Sequence, residues 1–250
     1  MIERKHTGFT VIEVMLFLAI SGLLISALLI GTGVSISRQR YKDSVTTFQS
    51  NLQQVYEEVM SVNNNRDSVR AGCGSSAVAG TSECALLGKL LVIDGEDMSL
   101  YDVIGREPSG TTADSSDDTI LSSYNPQVIR DNVNVRLSKL EWGASARRLG
   151  AGEASVMSLL VLRSPESGFV HTYTVDADMS RIDDDSGSYR LRDDIGPAAN
   201  RAQRTICVDS DDIASIGGKM AIRIQAGASS ATAVTVLSNE QLEEMGGNRC

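Results

Sequence analysis

Twenty-four consecutive residues, Val14 to Ser37, carry no charge, and a single carboxylate, Glu13, stands immediately before them. At 1.5 Å per residue a helix over this run covers about 36 Å, enough to cross the roughly 30 Å hydrocarbon layer of a bilayer. A secretory signal would have a shorter apolar core and then a small-x-small cleavage site. This run is too long for such a core, so the expectation is a retained membrane span. Arg4 and Lys5, against Glu3, precede it, and a basic flank favours a cytoplasmic N-terminus.

The apolar pattern does not stop at the end of that run. After Arg38-Gln39-Arg40 come Tyr41, Val45, Phe48, Leu52, Val55, Val59 and Val62, at spacings that alternate between four and three. Such spacing is one stripe along a helix. Glutamines, Lys42, Asp43, Glu57 and Glu58 fill most other positions, and no proline occurs before Pro108. The pattern predicts one helix from about Phe9 to about Val62, apolar on all sides in its first half and on one face in its second. Asn63-Asn64-Asn65 ends it, because asparagine favours turns over helix interiors. Gly22, Gly31 and Gly33 either loosen the helix or admit close neighbours.

Beyond the helix the period changes to that of strands. Leu90 to Ile93 and Leu100 to Ile104 flank Asp94-Gly95-Glu96-Asp97, a hairpin signal. Residues 106–118 read as a polar loop, and Val133 to Trp142 alternates as a half-buried strand should. Val156 to Leu162 and Phe169 to Val175 flank a second turn, Ser164 to Gly168. Thr205 to Val208, Met220 to Gln225 and Ala233 to Leu237 are the last strands, before a short helical tail that ends at Cys250. The fold class is α+β: a long N-terminal helix packed by its stripe on an antiparallel sheet.

Chemistry is sparse. Apart from His6 near the N-terminus, His171 is the one histidine, and its alternating surroundings (FVHTYTV) mark it as structural. Nucleophile elbows, zinc-protease helices and phosphate loops are absent from the sequence, so no catalytic residues and no cofactor are expected. The cysteines, Cys73, Cys84, Cys207 and Cys250, include no Cys-x-x-Cys pair, which argues against zinc. Four cysteines allow three connectivities. The expected pairs are Cys73 with Cys84, a local loop, and Cys207 with Cys250, which ties the tail to the last strands. Asp176-x-Asp178-x-Ser180 begins like a calcium loop, but Arg181 replaces the glycine and Gly187 stands at the final glutamate position. That loop and the cluster Asp209, Asp211 and Asp212 read as solvated, with no metal. A formal net charge of −9 repels phosphate backbones, so nucleic acid is not the expected partner. Arg147-Arg148 and the pair Arg201 and Arg204 read as solvated surface.

Gly8-Phe9-Thr10-Val11-Ile12-Glu13, after a short basic leader and before a long apolar helix, resembles the N-terminus of type IV pilins and pseudopilins. In that family a prepilin peptidase cuts after the glycine on the cytoplasmic side. The new N-terminal phenylalanine is N-methylated, and the fifth mature residue is a glutamate. The resemblance implies cleavage between Gly8 and Phe9, methylation of Phe9 and an assembly role for Glu13. It divides the chain into a leader (1–8), a transmembrane half-helix (9–37), an amphipathic half-helix (38–62) and an exported β-rich domain (63–250). The strand-rich remainder resembles, more loosely, the H-type minor pseudopilins, and 106–150 looks like an insertion relative to them. The implied function is a minor structural subunit of a type IV pilus or of a secretion or competence pseudopilus. The implied partners are other pilin subunits, the prepilin peptidase, the membrane assembly platform and the cytoplasmic membrane. The implied location is single-pass in that membrane, then the surface filament. A membrane-anchored binding protein, such as a pilus-tip adhesin or a DNA receptor, is the alternative.

The resemblance also gives Glu13 a physical purpose. A charged side chain at the bilayer centre costs about 2.5–3.5 kcal/mol by insertion scales unless it is paired. Cleavage after Gly8 would create an ammonium at Phe9, and in a helical assembly that ammonium can lie beside a neighbour's Glu13.

Overall fold

The computed structural model describes residues 10–61, 84–108, 115–129, 135–150, 156–175, 191–210, 218–245 and 250. The first helix, α1 (Val11–Met60), is continuous over 50 residues. Thr10 caps it: the Thr10 hydroxyl accepts from the backbone N–H of Glu13 at 3.3 Å. Of the described helices, this one alone is long and apolar enough to cross a membrane. The expected terminator, Asn63 to Asn65, lies outside the described residues.

The strands are β1 (Cys84–Asp94), β2 (Asp97–Arg106), β3 (Gln127–Val128), β4 (Arg136–Lys139), β5 (Ala144–Arg148), β6 (Met157–Arg163), β7 (Val170–Val175), β8 (Arg204–Ser210), β9 (Met220–Ile224) and β10 (Val234–Leu237). Two short helices, α2 (Asp117–Ser123) and α3 (Asn239–Glu244), complete the set, with 3₁₀ turns at Leu191–Asp194, Ala198–Arg201 and Ala231–Ala233. All pairings among the described residues are antiparallel. The α+β expectation therefore holds, with a difference: the strands form two sheets. One runs β3-β2-β1-β6-β7, with β4 also on β2; the other runs β10-β9-β8-β5. A single bridge, Gly95 to Ala146, links the β1–β2 turn to β5.

The helix stripe is buried between these sheets. Tyr41, Val45, Phe48, Leu52, Val55 and Val59 join Leu91, Ile93, Leu159 and Val161 of the first sheet and Ile206, Ile222 and Val234 of the second in one core. The opposite face of the first sheet has its own core, in which Leu90, Val92, Leu160 and Tyr173 meet Ile120 and Leu121 of α2. Because successive strand residues point to opposite faces, strands covered on both sides need apolar residues in succession, as Leu90 to Ile93 of β1 and Leu159 to Leu162 of β6 supply. Gly88 permits the close approach of β6: a Cβ there would lie 2.0 Å from the Val161 carbonyl oxygen. The outer face of the second sheet is closed by Cys207, Ala221, Leu237, Leu242 and Cys250.

Both expected hairpins form. Asp94 pairs with Asp97 around Gly95-Glu96, and Arg163 pairs with Val170 around the second turn. The expected strand from Val133 to Trp142 shrinks to Arg136–Lys139. It lies along the outer edge of β2, so its alternation does not mark a buried face, and Leu137 stays 73% exposed. The expected loop 106–118 ends in α2, whose first residues are Asp117 and Asp118 and whose cap is the Ser116 hydroxyl.

Candidate functional site

The two halves of α1 differ in what touches them. Along 11–29, large apolar side chains face outward on every side: Ile12 is 78% exposed, Phe17 69% and Leu28 69%. Within the domain, from Tyr41 onward, the stripe is enclosed. Polar side chains beside the stripe lock the second half in place. Tyr41 Oη donates to the Val208 carbonyl at 2.6 Å and accepts from the Met220 N–H at 2.9 Å. Burial, offset in part by that Met220 bond, pushes the Tyr41 hydroxyl up to about 12. Gln49 donates to the Val234 carbonyl at 3.1 Å. Tyr56 Oη meets Thr172 Oγ1 at 3.0 Å, and Thr172 donates to the Ala228 carbonyl at 2.7 Å. Glu58 takes ion pairs from Arg136 and Lys89. The helix and the domain are thus one packed unit from Tyr41 to Val59, and the preceding half projects from it.

Glu13 sits in the first turn of the projecting half. No described side chain pairs with its carboxylate. A carboxylate near a helix N-terminus gains a little from the helix dipole, about 0.3–1 kcal/mol, less than hydrocarbon would cost it. Gly8 and Phe9 lie outside the described residues. Cys207 and Cys250 form the expected disulfide, with Cα atoms 5.4 Å apart. Cys84 is disulfide-bonded as well; Cys73, its expected partner, lies outside the described residues.

The domain also holds a polar cluster that the sequence did not disclose. It joins Asp117 and Asp118 at the start of α2 to His171 and Tyr173 on β7 and to Arg201. His171 Nε2 lies 2.9 Å from Asp117 and its Nδ1 lies 3.2 Å from an Arg201 nitrogen, so both ring nitrogens are engaged. Arg201 also pairs with Asp118, to which Tyr173 donates at 2.5 Å. Burial opposes ionisation of Asp117, but hydrogen bonds from His171, Ser167 and Ser164 outweigh it and hold the carboxyl below its ordinary range. Burial and the Asp118 bond push the Tyr173 hydroxyl up. A Ser-His-Asp triad needs a serine on the histidine, with the carboxylate behind it. Here the serines bond the carboxylate, and arginine holds the histidine. The cluster fastens α2 and the 198–201 turn to the first sheet through Asp117, Asp118, His171, Tyr173 and Arg201.

Arg147 and Arg201 correct the expectation of solvated surface: Arg147 pairs with Asp209 and Arg201 with Asp118. Among the described residues no group of three or more His, Cys, Asp or Glu side chains could hold a metal ion. Asp176, Asp178, Asp211 and Asp212 lie outside those residues. A cleft of about 240 Å³ between α1 and β4, floored by Leu52, Leu91 and Met98, has Asn51 and Arg136 at its rim and no converging set of reactive groups.

One more feature lies where α1 leaves its apolar half. The turn between β4 and β5 closes through Ala144 N–H to the Glu141 carbonyl at 3.2 Å. Its two central residues, Trp142 and Gly143, both have positive φ, 61° and 65°. Glycine takes that conformation freely, whereas a bulky side chain pays about 1–2 kcal/mol. Trp142 is the only tryptophan of the chain, is 54% exposed, and stacks under the Arg40 guanidinium at 4.8 Å. No family model, curated protein or solved structure matches the chain.

Proposed function

We propose that the protein is a type IV pilin-like subunit, held in a membrane by the first half of α1 and built into a filament through that same half. The observation that carries the reading is the division of one continuous helix. Its second half is locked into a folded domain, while its first half, apolar on every side, has no partner among the described residues. An all-round apolar helix must be enclosed by lipid or by other helices. A subunit that passes from membrane to filament exchanges one enclosure for the other. The N-terminal motif through Glu13 supports the same reading, with Glu13 paired to the Phe9 ammonium of a neighbour.

In this reading the N-terminus is cytoplasmic and the domain is exported, as two disulfide-bonded cysteine sites also favour. The subunit has a structural role, and its partners are other pilin subunits, the prepilin peptidase and an assembly platform. Intact-mass measurement of protein from the native membrane tests it. The expected mature chain starts at Phe9 and carries one added methyl group. A mature chain that keeps Met1, or one cut after the apolar run, refutes the reading.

A further inference from the structure

We propose that the Trp142 turn, with Arg38 and Arg40, is a phospholipid-headgroup contact that seats the domain on the bilayer its own helix crosses. The inference rests on the membrane-spanning reading of α1 and goes beyond it, since a span by itself requires nothing of the domain. The depth comes from helix geometry. The uncharged run, about 36 Å as helix, exceeds a 30 Å hydrocarbon layer by roughly 6 Å. Shared between the two ends, that excess leaves Arg38 and Arg40 about 4–7 Å outside the hydrocarbon edge, within the headgroup layer. Both arginines and Lys42 are exposed.

Trp142 is held at the same depth. It stacks on Arg40, and the domain cannot slide along the helix, because the adjacent Tyr41 is bonded to both β8 and β9. Indole is enriched at bilayer interfaces, where its apolar body and its N–H donor are both accommodated. Cations beside an anionic lipid surface add attraction of the matching sign. The turn needs no tryptophan for its own geometry: position 142 has positive φ, and a side chain there is strained and more than half exposed. A strained aromatic kept in water, next to the exit of a membrane span, is explained by an interfacial partner.

The single tryptophan makes the test direct. The full chain is reconstituted into phosphatidylglycerol-containing liposomes whose acyl chains are brominated either near the headgroup or near the chain ends. Association is checked by flotation. The expected result is a blue-shifted Trp142 emission that shallow bromine quenches more than deep bromine. Arg40→Gln should lessen that quenching without changing flotation. Protein that floats while neither lipid quenches Trp142 overturns the contact and leaves the span standing. Emission that shifts with protein concentration but not with bromine overturns it too, and assigns the turn to a second copy of the chain. Failure to float refutes the span, and with it this proposal.

Discussion

Tyr41→Phe should loosen the joint between the helix and the domain, and the size of the effect follows from its two bonds. The hydroxyl is buried, donates to Val208 of β8 and accepts from Met220 at the start of β9. Phenylalanine fills nearly the same volume, so packing is retained. Two backbone groups lose their partner, and water at the domain rim replaces it only in part. A buried group left unsatisfied costs about 1–3 kcal/mol, so the variant should be destabilised by about 1–3 kcal/mol near neutral pH. The pH dependence is a second signature. A hydroxyl raised from 10 to about 12 stabilises the fold fully below pH 10 and loses that contribution as pH rises through 12. Two units correspond to about 2.7 kcal/mol for an enclosed group, and screening at the rim reduces this to about 1–2 kcal/mol. Urea unfolding of the full chain in detergent, with disulfides intact and Trp142 emission as the probe, reads both effects. Wild type should lose stability faster than the variant between pH 10 and 12. Equal stabilities at pH 7, or parallel curves above pH 10, would refute the role given to Tyr41.

Glu13→Gln should leave the domain and membrane insertion intact but lower incorporation into sheared filaments relative to the membrane pool; equal incorporation would make Glu13 a passive headgroup-zone charge. Phe48→Ala removes an aromatic side chain of the stripe that is 1% exposed, and should cost about 3–5 kcal/mol by chemical denaturation. A loss below 1 kcal/mol would mean that the helix stripe is not part of the domain core. Cys250→Ser opens a loop with a sequence separation of 43 and should cost about 4 kcal/mol in the chain-entropy account, read as a drop in melting temperature. An unchanged melting temperature would show that the tail contributes nothing to the second sheet.

Both halves of α1 were legible in the chain because helical periodicity is local. The uncharged run needs nothing else to declare itself, and Tyr41 to Val59 declares a buried face by spacing alone. The two hairpins were legible for the same reason, since their turns and flanking strands are contiguous. What depends on distant partners was not. Arg147 and Arg201 look like surface cations until β8 brings Asp209, and α2 brings Asp118, beside them. His171 reads as structural, but the Asp117 and Arg201 that engage its two nitrogens are 54 and 30 residues away. Val133 to Trp142 misled because alternation marks a buried face only if a second layer covers it. Here the strand lies at an edge, and Leu137 faces outward.

The sequence by itself determined that one long helix exists, that its first half is apolar on every side, and that strands follow it. These follow from hydrophobic periodicity and from the length of an uncharged run. Only the tertiary structure decided that the strands divide into two sheets with the helix stripe between them, and that Trp142 stands beside Arg40 at the helix exit. The reason is that such contacts are selected by packing across a hundred or more residues, where no local period carries a signal.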